Sequence, residues 1–262
     1  MQRASINGMQ VAYDDTGGDG VPMVLAHGFL MDRSMFDPQV AALRDRCRVI
    51  TWDERSHGDT VDDRRPFTYW DLADDCIGLL DHLGIDRAVI GGMSQGGFIS
   101  LRVALTAPDR VRGLVLLDTQ AGSEDPEVIP LYQAMVDEWL ANGPSDGIAE
   151  AAAGLIIGDP ALSAAWIARW RQRPHEVLRW PAQALLTRDD ITDRLGEIAV
   201  PALVIHGTAD LSIAMDKAEA LAAGLAGCAG VVAIDGGTHS ANLTHPDPVN
   251  RAMVSFVEGL PD

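Results

Sequence analysis

Short apolar runs recur along this chain at fairly regular intervals, separated by polar and glycine-containing stretches. Six of them are nearly all apolar: residues 21–26, 49–52, 88–91, 114–117, 202–205 and 231–234. Strands that are buried on both faces of a parallel sheet have this pattern. Longer stretches with apolar residues at helical spacing lie between them, at 72–83, 98–107, 216–225 and 248–257. This alternation of strand and helix predicts βαβ units and an α/β fold.

The two ends of this pattern have different features. Residues 4–6 and 11–13 are separated by Asn7-Gly8, which predicts an antiparallel hairpin before the parallel strands. Between residues 122 and 198 the strand pattern stops, and four helices are predicted instead, at 128–140, 145–157, 161–171 and 176–186. The sequence therefore predicts a core of residues 1–121 and 197–262 with a helical cap inserted at residues 122–196.

Charge and composition exclude several classes of partner. The chain has 38 acidic and 20 basic residues, a formal net charge of −18, which disfavours nucleic acid and anionic membrane surfaces. Its apolar runs are too short to span a membrane, and the N-terminal segment lacks an apolar signal core, so a cytoplasmic location is expected. The three cysteines are widely spaced and interpreted as reduced thiols. The sequence leaves open whether the protein forms a homo-oligomer.

The strongest chemical signal is the motif Gly92-Met93-Ser94-Gln95-Gly96. It follows a predicted strand and precedes a predicted helix, as a nucleophile elbow requires. Such a turn exposes the serine hydroxyl at the carboxyl edge of the sheet. The glycines do not form the GxGxxG pattern of a dinucleotide-binding turn. Ser94 is therefore predicted to be a nucleophile.

A serine nucleophile needs a base, and His239 is the best candidate. It lies in the loop after the last predicted strand, and the carboxyl ends of parallel strands share one edge of the sheet. His27 is interpreted as ordering its own loop, His206 as a packing residue, and His57 as a surface or loop residue.

Two acids could orient the base. Asp210 follows the strand at 202–205 and lies between Ser94 and His239, which gives the chain order Ser, Asp, His. Asp118 follows the strand at 114–117 and is the alternative. Asp210 is preferred. The backbone N–H groups of Gln95 and Phe29 are the candidate oxyanion hole, because each would follow a strand at the same edge.

These motifs, together with His27-Gly28-Phe29 and the segment from Trp52 to Gly58, resemble the α/β-hydrolase superfamily over nearly the whole chain. The resemblance implies a mostly parallel eight-stranded sheet with a helical cap after the sixth strand, and the same roles for Ser94, Asp210, His239, Phe29 and Gln95. Within the superfamily the chain is similar to small esterases, enol-lactonases and cofactor-free haloperoxidases. It departs from their pattern at Ser56, Thr60 and Gln95, where Gly, Ser and Met are usual.

The predicted function is hydrolysis of a small-molecule carboxylic ester or lactone through an acyl-enzyme, with no cofactor and no metal. The alternatives are a haloperoxidase, perhydrolase or oxygenase using the same triad, and a non-catalytic small-molecule binder. Four of the six tryptophans lie in the predicted cap, and Trp139 and Trp166 are candidates for the substrate pocket. Packing of the cap helices is an equally good explanation for them.

Overall fold

A computed structural model describes residues 1–261, which contain one eight-stranded sheet. The strands are β1 (Gln2–Ile6), β2 (Met9–Asp15), β3 (Val21–Ala26), β4 (Cys47–Trp52), β5 (Ala88–Met93), β6 (Val111–Leu117), β7 (Ala202–Gly207) and β8 (Cys228–Ile234). Their order across the sheet is β1-β2-β4-β3-β5-β6-β7-β8. β1 and β2 pair antiparallel, β2 pairs antiparallel with β4, and the pairs from β4 to β8 are parallel. The predicted α/β-hydrolase fold is confirmed.

Ten α-helices accompany the sheet within these residues. They are α1 (Asp37–Leu43), α2 (Tyr69–His82), α3 (Gln95–Thr106), α4 (Ile129–Asn142), α5 (Asp146–Ile156), α6 (Pro160–Gln172), α7 (Arg179–Leu186), α8 (Met215–Gly224), α9 (Ala241–Thr244) and α10 (Pro246–Glu258). Apolar residues of α2, α3 and α8 form the core on one face of the sheet. Those of α1 and α10 pack on the other face. None of the helices in residues 1–261 has the length and apolar character needed to cross a bilayer.

The hairpin and the first parallel strands form where the residue pattern predicts them. Asn7 and Gly8 both have positive φ, 48° and 82°, as a tight two-residue turn requires. The helix α2 begins three residues earlier than its apolar pattern indicates. Thr68 accepts a hydrogen bond from the Asp71 amide while the Asp71 carboxylate accepts one from the Thr68 amide, and this capping box fixes the start of the helix.

The last strand differs from its prediction. The pattern at residues 231–234 indicates a strand buried on both faces, but β8 lies at the edge of the sheet and pairs only with β7. Val232 is 37% exposed as a result. An apolar run of four residues is the same for a central strand and for an edge strand, so periodicity alone does not separate them.

The helices α4 to α7 all lie between β6 and β7, inside the stretch 122–196 for which the sequence predicts a cap. The apolar residues of α4, α5 and α6 belong to the same cluster as α1 and α10, whereas those of α7 are divided between the two clusters. We call residues 122–196 the helical insertion.

Candidate active site

Ser94 occupies a strained turn between β5 and α3. Its backbone has φ 52° and ψ −112°, a conformation that costs a non-glycine residue on the order of 1–3 kcal/mol. Neighbouring groups hold it there: the Ser94 amide donates to the Leu117 carbonyl at 2.9 Å, and the Thr119 hydroxyl donates to the Ser94 carbonyl at 2.7 Å. Such a turn presents the side chain of Ser94 at the carboxyl edge of the sheet.

The glycines of the motif permit this turn because the backbone is crowded. A Cβ atom at Gly96 would collide with the carbonyl oxygen of Ala26, and one at Gly92 would meet both Ala26 and Gly96. The strand β3, the turn and the helix α3 therefore approach more closely than any residue with a side chain would allow.

Asp210 and His239 are in direct contact. Nδ1 of His239 lies 2.8 Å from Oδ2 of Asp210, while Oδ1 of Asp210 accepts hydrogen bonds from the amides of Ser212 at 2.7 Å and Ile213 at 2.9 Å. Burial opposes the charge on Asp210, but His239 and these hydrogen bonds outweigh it and lower the pKa of the carboxyl. An ionised Asp210 is therefore suited to orient the imidazole and to stabilise its positive charge.

Asp118 lies nearby but contacts backbone rather than His239. Its two oxygens accept hydrogen bonds from the amides of Gly207 at 2.8 Å and Ala241 at 3.2 Å. Burial and the charge of Asp210 raise the pKa of Asp118 well above its usual value. Asp118 thus connects the loop that carries Asp210 to the segment that follows His239.

Ser94 and His239 line the same cavity, and Phe29 lines it with them. The contacts found for residues 1–261 include no hydrogen bond between the Ser94 hydroxyl and His239. Catalytic hydrogen bonds often tighten only once substrate is bound. The amide of Gln95 stands at the start of α3, where the helix dipole favours negative charge.

The side chain of Gln95 is part of a buried polar network under the turn. It accepts a hydrogen bond from the Tyr69 hydroxyl at 3.1 Å and donates one to Oε2 of Glu54. Burial, followed by the charges of Asp53 and Asp75, raises the pKa of Glu54 well above its usual value. Gln95 stands where the similar family members usually have Met, and its polar side chain thus has polar partners within this chain.

His57 is buried, contrary to the expectation of a surface or loop residue. It is 3% exposed, its ring centroid lies 4.8 Å from that of His27, and Phe29 packs against it edge-on. These partners come from the loop after β3, so nothing in the sequence around His57 indicates its burial. His27 does order its own loop, since Nδ1 lies 2.9 Å from the Gly28 carbonyl and Nε2 accepts from the Glu54 amide at 3.1 Å.

The buried state of His57 leads to a testable pH dependence of stability. Burial, then the charges of His27 and Arg173, lower the pKa of His57 well below its usual value. Below about pH 6.5 the unfolded chain takes up a proton at this site that the folded chain does not, so stability is lost as the pH falls. Between pH 7 and pH 5 the unaltered protein should lose free energy of unfolding. The His57→Phe variant should lose less, by up to about 1.4 kcal/mol per pH unit. Urea unfolding at pH 7, 6 and 5 measures this change.

The same substitution at His82, which is exposed on α2, is the matched control. Its unfolding free energies should change with pH in parallel with those of the unaltered protein. If the His57→Phe curve also ran parallel, the protonation of His57 would not contribute to acid destabilisation.

The cavity is predominantly apolar and lies between the sheet edge and the helical insertion. Its cavity volume is about 120 Å³, and it is partly open to solvent. Trp139 lines it, as the sequence predicts, but Trp166 does not. Trp166 instead packs against Arg169, whose guanidinium carbon lies 4.5 Å from the ring centroid. Trp166 therefore does not line this cavity, contrary to the prediction.

The end of α5 is attached to the loops that carry Asp210 and His239. Three hydroxyls donate to three consecutive carbonyls: Ser212 to Leu155 at 3.0 Å, Ser240 to Ile156 at 2.7 Å and Thr238 to Ile157 at 2.7 Å. The last carbonyls of a helix have no partner within the helix, so these hydroxyls supply what α5 lacks. A second attachment joins α6 to the loop of Phe29, since the Trp170 indole donates to the Leu30 carbonyl at 2.7 Å.

Two groups of side chains bring atoms that can bind metals within 4.8 Å of one another: His27, Glu54 and His57, and Asp118, His206 and Asp210. Hydrogen bonds already engage both ring nitrogens of His27 and both oxygens of Asp210 and Asp118. Neither donor set offers three free ligand atoms, so we assign no metal to them.

Several polar residues in the cavity are not indicated by the sequence. Gln120, Glu124, Tyr132 and Arg188 all line it. They belong to the helical insertion or to the residues just before it, where no motif marks individual positions. Arg188 lies two residues past the end of α7, and an arginine there is a weak signal because it also suits a helix C-terminus.

A family model described as the alpha/beta hydrolase fold matches residues 21–164, more than half of the chain. This chain belongs to the α/β-hydrolase family. One relative, from Caulobacter vibrioides, is named "Putative carbamate hydrolase RutD" and is 29% identical over 251 residues, covering 90% of each chain.

Two solved structures are similar over nearly the whole length. A thermophilic esterase from Thermogutta terrifontis has 30% sequence identity and a TM-score of 0.90, covering 98% of both chains. The enol-lactonase from Burkholderia xenovorans LB400 has 29% identity and a TM-score of 0.88, covering 98% of this chain and 99% of its own. The family and these relatives make this chain a hydrolase.

Proposed function

We propose that this hydrolase cleaves a carboxylic ester or a lactone through an acyl-enzyme formed on Ser94. The observation that carries the proposal is the 2.8 Å contact between His239 and Asp210, with His239 and Ser94 lining one cavity. The esterase and the enol-lactonase among the similar structures support the same class of substrate.

In this mechanism Ser94 Oγ attacks the carbonyl carbon while Nε2 of His239 takes the hydroxyl proton. The amides of Phe29 and Gln95 donate hydrogen bonds to the oxyanion of the tetrahedral intermediate. As the intermediate collapses, the bond to the alcohol oxygen breaks and His239 gives that oxygen the proton. Water then attacks the acyl-enzyme with His239 as base, and Ser94 is regenerated. Asp210 holds Nδ1 of His239 protonated throughout.

The helical insertion serves as the cap of this site. Residues of α4, α5 and α7 line the cavity, and the attachments of α5 and α6 hold the insertion against the catalytic edge of the sheet. An apolar pocket of this kind suits the hydrocarbon part of a small or medium-sized ester.

Active-site titration with a fluorophosphonate tests the proposal. We expect stoichiometric labelling of Ser94 and turnover of p-nitrophenyl esters or lactones. Absence of labelling would favour a non-catalytic binder. Labelling with turnover confined to a carbamate, or to peroxide-dependent halogenation, would contradict the substrate class while keeping the nucleophile.

Trp139 and Trp166 form a matched pair for testing the pocket. In Trp139→Phe the cavity gains room, so the ratio of kcat/KM for a longer acyl ester to that for a shorter one should rise by up to about tenfold. Trp166 lies outside the cavity, so Trp166→Phe should leave this ratio unchanged. Equal shifts in both variants would mean that they act through packing of the insertion and not through the pocket.

A further inference from the structure

Arg188 brings a buried positive charge to the wall of an otherwise apolar cavity. Its side chain is 1% exposed, and the residue lines the cavity together with Phe98 and Ser94. The guanidinium carbon lies 4.5 Å from the centroid of the Phe98 ring, one helical turn along α3 from the nucleophile. A substrate in this cavity would thus share it with Arg188.

The hydrogen bonds of Arg188 leave one nitrogen unused. Nε donates to the Gly122 carbonyl at 3.0 Å, and Nη1 donates to the Leu185 carbonyl at 2.9 Å and to the Glu124 carboxylate at 3.0 Å. Nη2 is buried and finds no acceptor within residues 1–261. A buried N–H without a partner costs free energy. Because Arg188 lines the cavity, a ligand oxygen that reached Nη2 from the cavity would remove this cost.

The charge around Nη2 indicates which acceptor fits. Glu124, which is itself largely buried, already balances the charge of Arg188. A ligand carboxylate would place a second negative charge beside Glu124 in a region of low polarity, whereas a neutral oxygen adds none. Tyr132 lines the same cavity, and burial followed by the charge of Glu124 raises its pKa, so its hydroxyl stays a neutral donor.

We propose that the acyl or lactone group of the substrate carries a second, uncharged carbonyl-type oxygen, which accepts a hydrogen bond from Nη2 of Arg188. This inference rests on the proposed function, because it identifies the acyl group of that same substrate. It makes Arg188 a specificity-determining residue and Glu124 the residue that sets the charge of the ligand.

Binding to the Ser94→Ala protein tests the inference without turnover. The probes are three matched sets of p-nitrophenyl esters: straight-chain esters, analogues with one methylene replaced by a ketone at each position in turn, and analogues that end in a carboxylate. Calorimetry should find at least one ketone analogue bound about tenfold more tightly than its methylene counterpart. The carboxylate analogues should bind no better than the methylene esters.

Two further substitutions in the Ser94→Ala background assign the effect to the ion pair. Arg188→Met should bring the ketone preference close to one. Glu124→Gln keeps the shape of its side chain but leaves the Arg188 charge unbalanced, so it should move the preference toward the carboxylate analogue. A purely structural Arg188, joining the two ends of the insertion, would lower the melting temperature but would not produce this exchange of preference. The Glu124→Gln result decides the question even if Arg188→Met does not fold.

Equal binding of ketone and methylene esters at every position would overturn the inference. Preference of the Ser94→Ala protein for the carboxylate would overturn it too, since the charge argument would then be wrong. Fluorophosphonate labelling of the unaltered protein keeps the two proposals separate. Labelling without ketone preference defeats only this inference, and ketone preference without labelling defeats the proposed function while leaving the hydrogen bond from Arg188 to a neutral oxygen.

Discussion

Replacing Ser94 by Ala is expected to lower kcat by about 10⁴ to 10⁶ while the protein stays folded. The hydroxyl is the group that would form the covalent bond to the acyl carbon, and no neighbouring side chain can replace it. Ser94 contacts Leu117 and Thr119 through its backbone and not through its own hydroxyl, so the turn should persist. The measurement is kcat on an ester that the unaltered protein cleaves, with thermal unfolding as the test of folding.

Ser100 provides the matched control for this experiment. It lies on α3, the helix that begins directly after Ser94, is fully buried, and its hydroxyl donates to the Gly96 carbonyl at 2.7 Å. Ser100→Ala should keep activity within about tenfold of the unaltered protein, because the net contribution of one such hydrogen bond is about 1 kcal/mol. Near-normal hydrolysis by purified Ser94→Ala would exclude Ser94 as the nucleophile.

Replacing Asp210 by Asn is expected to lower kcat by up to about 10⁴, and the geometry gives the reason. Oδ1 of residue 210 must keep accepting from the amides of Ser212 and Ile213, so the new amide nitrogen would face His239. That nitrogen would donate to Nδ1 and place the imidazole proton on Nε2. Nε2 could then no longer accept the Ser94 proton, and the positive charge of the imidazole would be uncompensated.

Asp118→Asn is the comparison that separates the two acids. Asp118 accepts hydrogen bonds from two backbone amides. In the variant the new side-chain nitrogen would face one of these N–H groups, which lowers the free energy of unfolding by about 1–3 kcal/mol. We expect a lower melting temperature and a loss in kcat of less than about tenfold. Measuring kcat/KM for both variants on one ester, with circular dichroism as the folding check, decides between them. A crippled Asp118→Asn beside a nearly intact Asp210→Asn would assign the acid to the strand before the helical insertion.

The parts of the site that the sequence predicts are those fixed by local geometry. The glycines at 92 and 96 mark the turn at Ser94, because only residues without a Cβ fit against Ala26. Asp210 and His239 follow strands at the same edge of the sheet, so the order of the strands brings them together. Short-range pattern and sheet topology together were sufficient to place these residues at one edge of the sheet.

The parts that the sequence does not predict depend on contacts between distant segments. Trp139 and Trp166 lie on helices of similar apolar composition, and only the packing of the insertion decides which ring faces the cavity. His57 is buried by the loop after β3, and Arg188 is brought into the cavity by its bond to Gly122, 66 residues earlier. Periodicity carries no information about such pairings.

The three hydroxyl bonds at the end of α5 have a consequence for protein engineering. A chimaera that exchanges the helical insertion with that of a relative, in order to change substrate preference, must keep the carbonyls of residues 155–157 in register with Ser212, Thr238 and Ser240. These hydroxyls belong to the loops of Asp210 and His239. A donor helix that ends one residue earlier or later would present the wrong atoms to them. The junctions of such a chimaera are therefore better chosen by the alignment of this helix end than by the boundaries of the insertion itself.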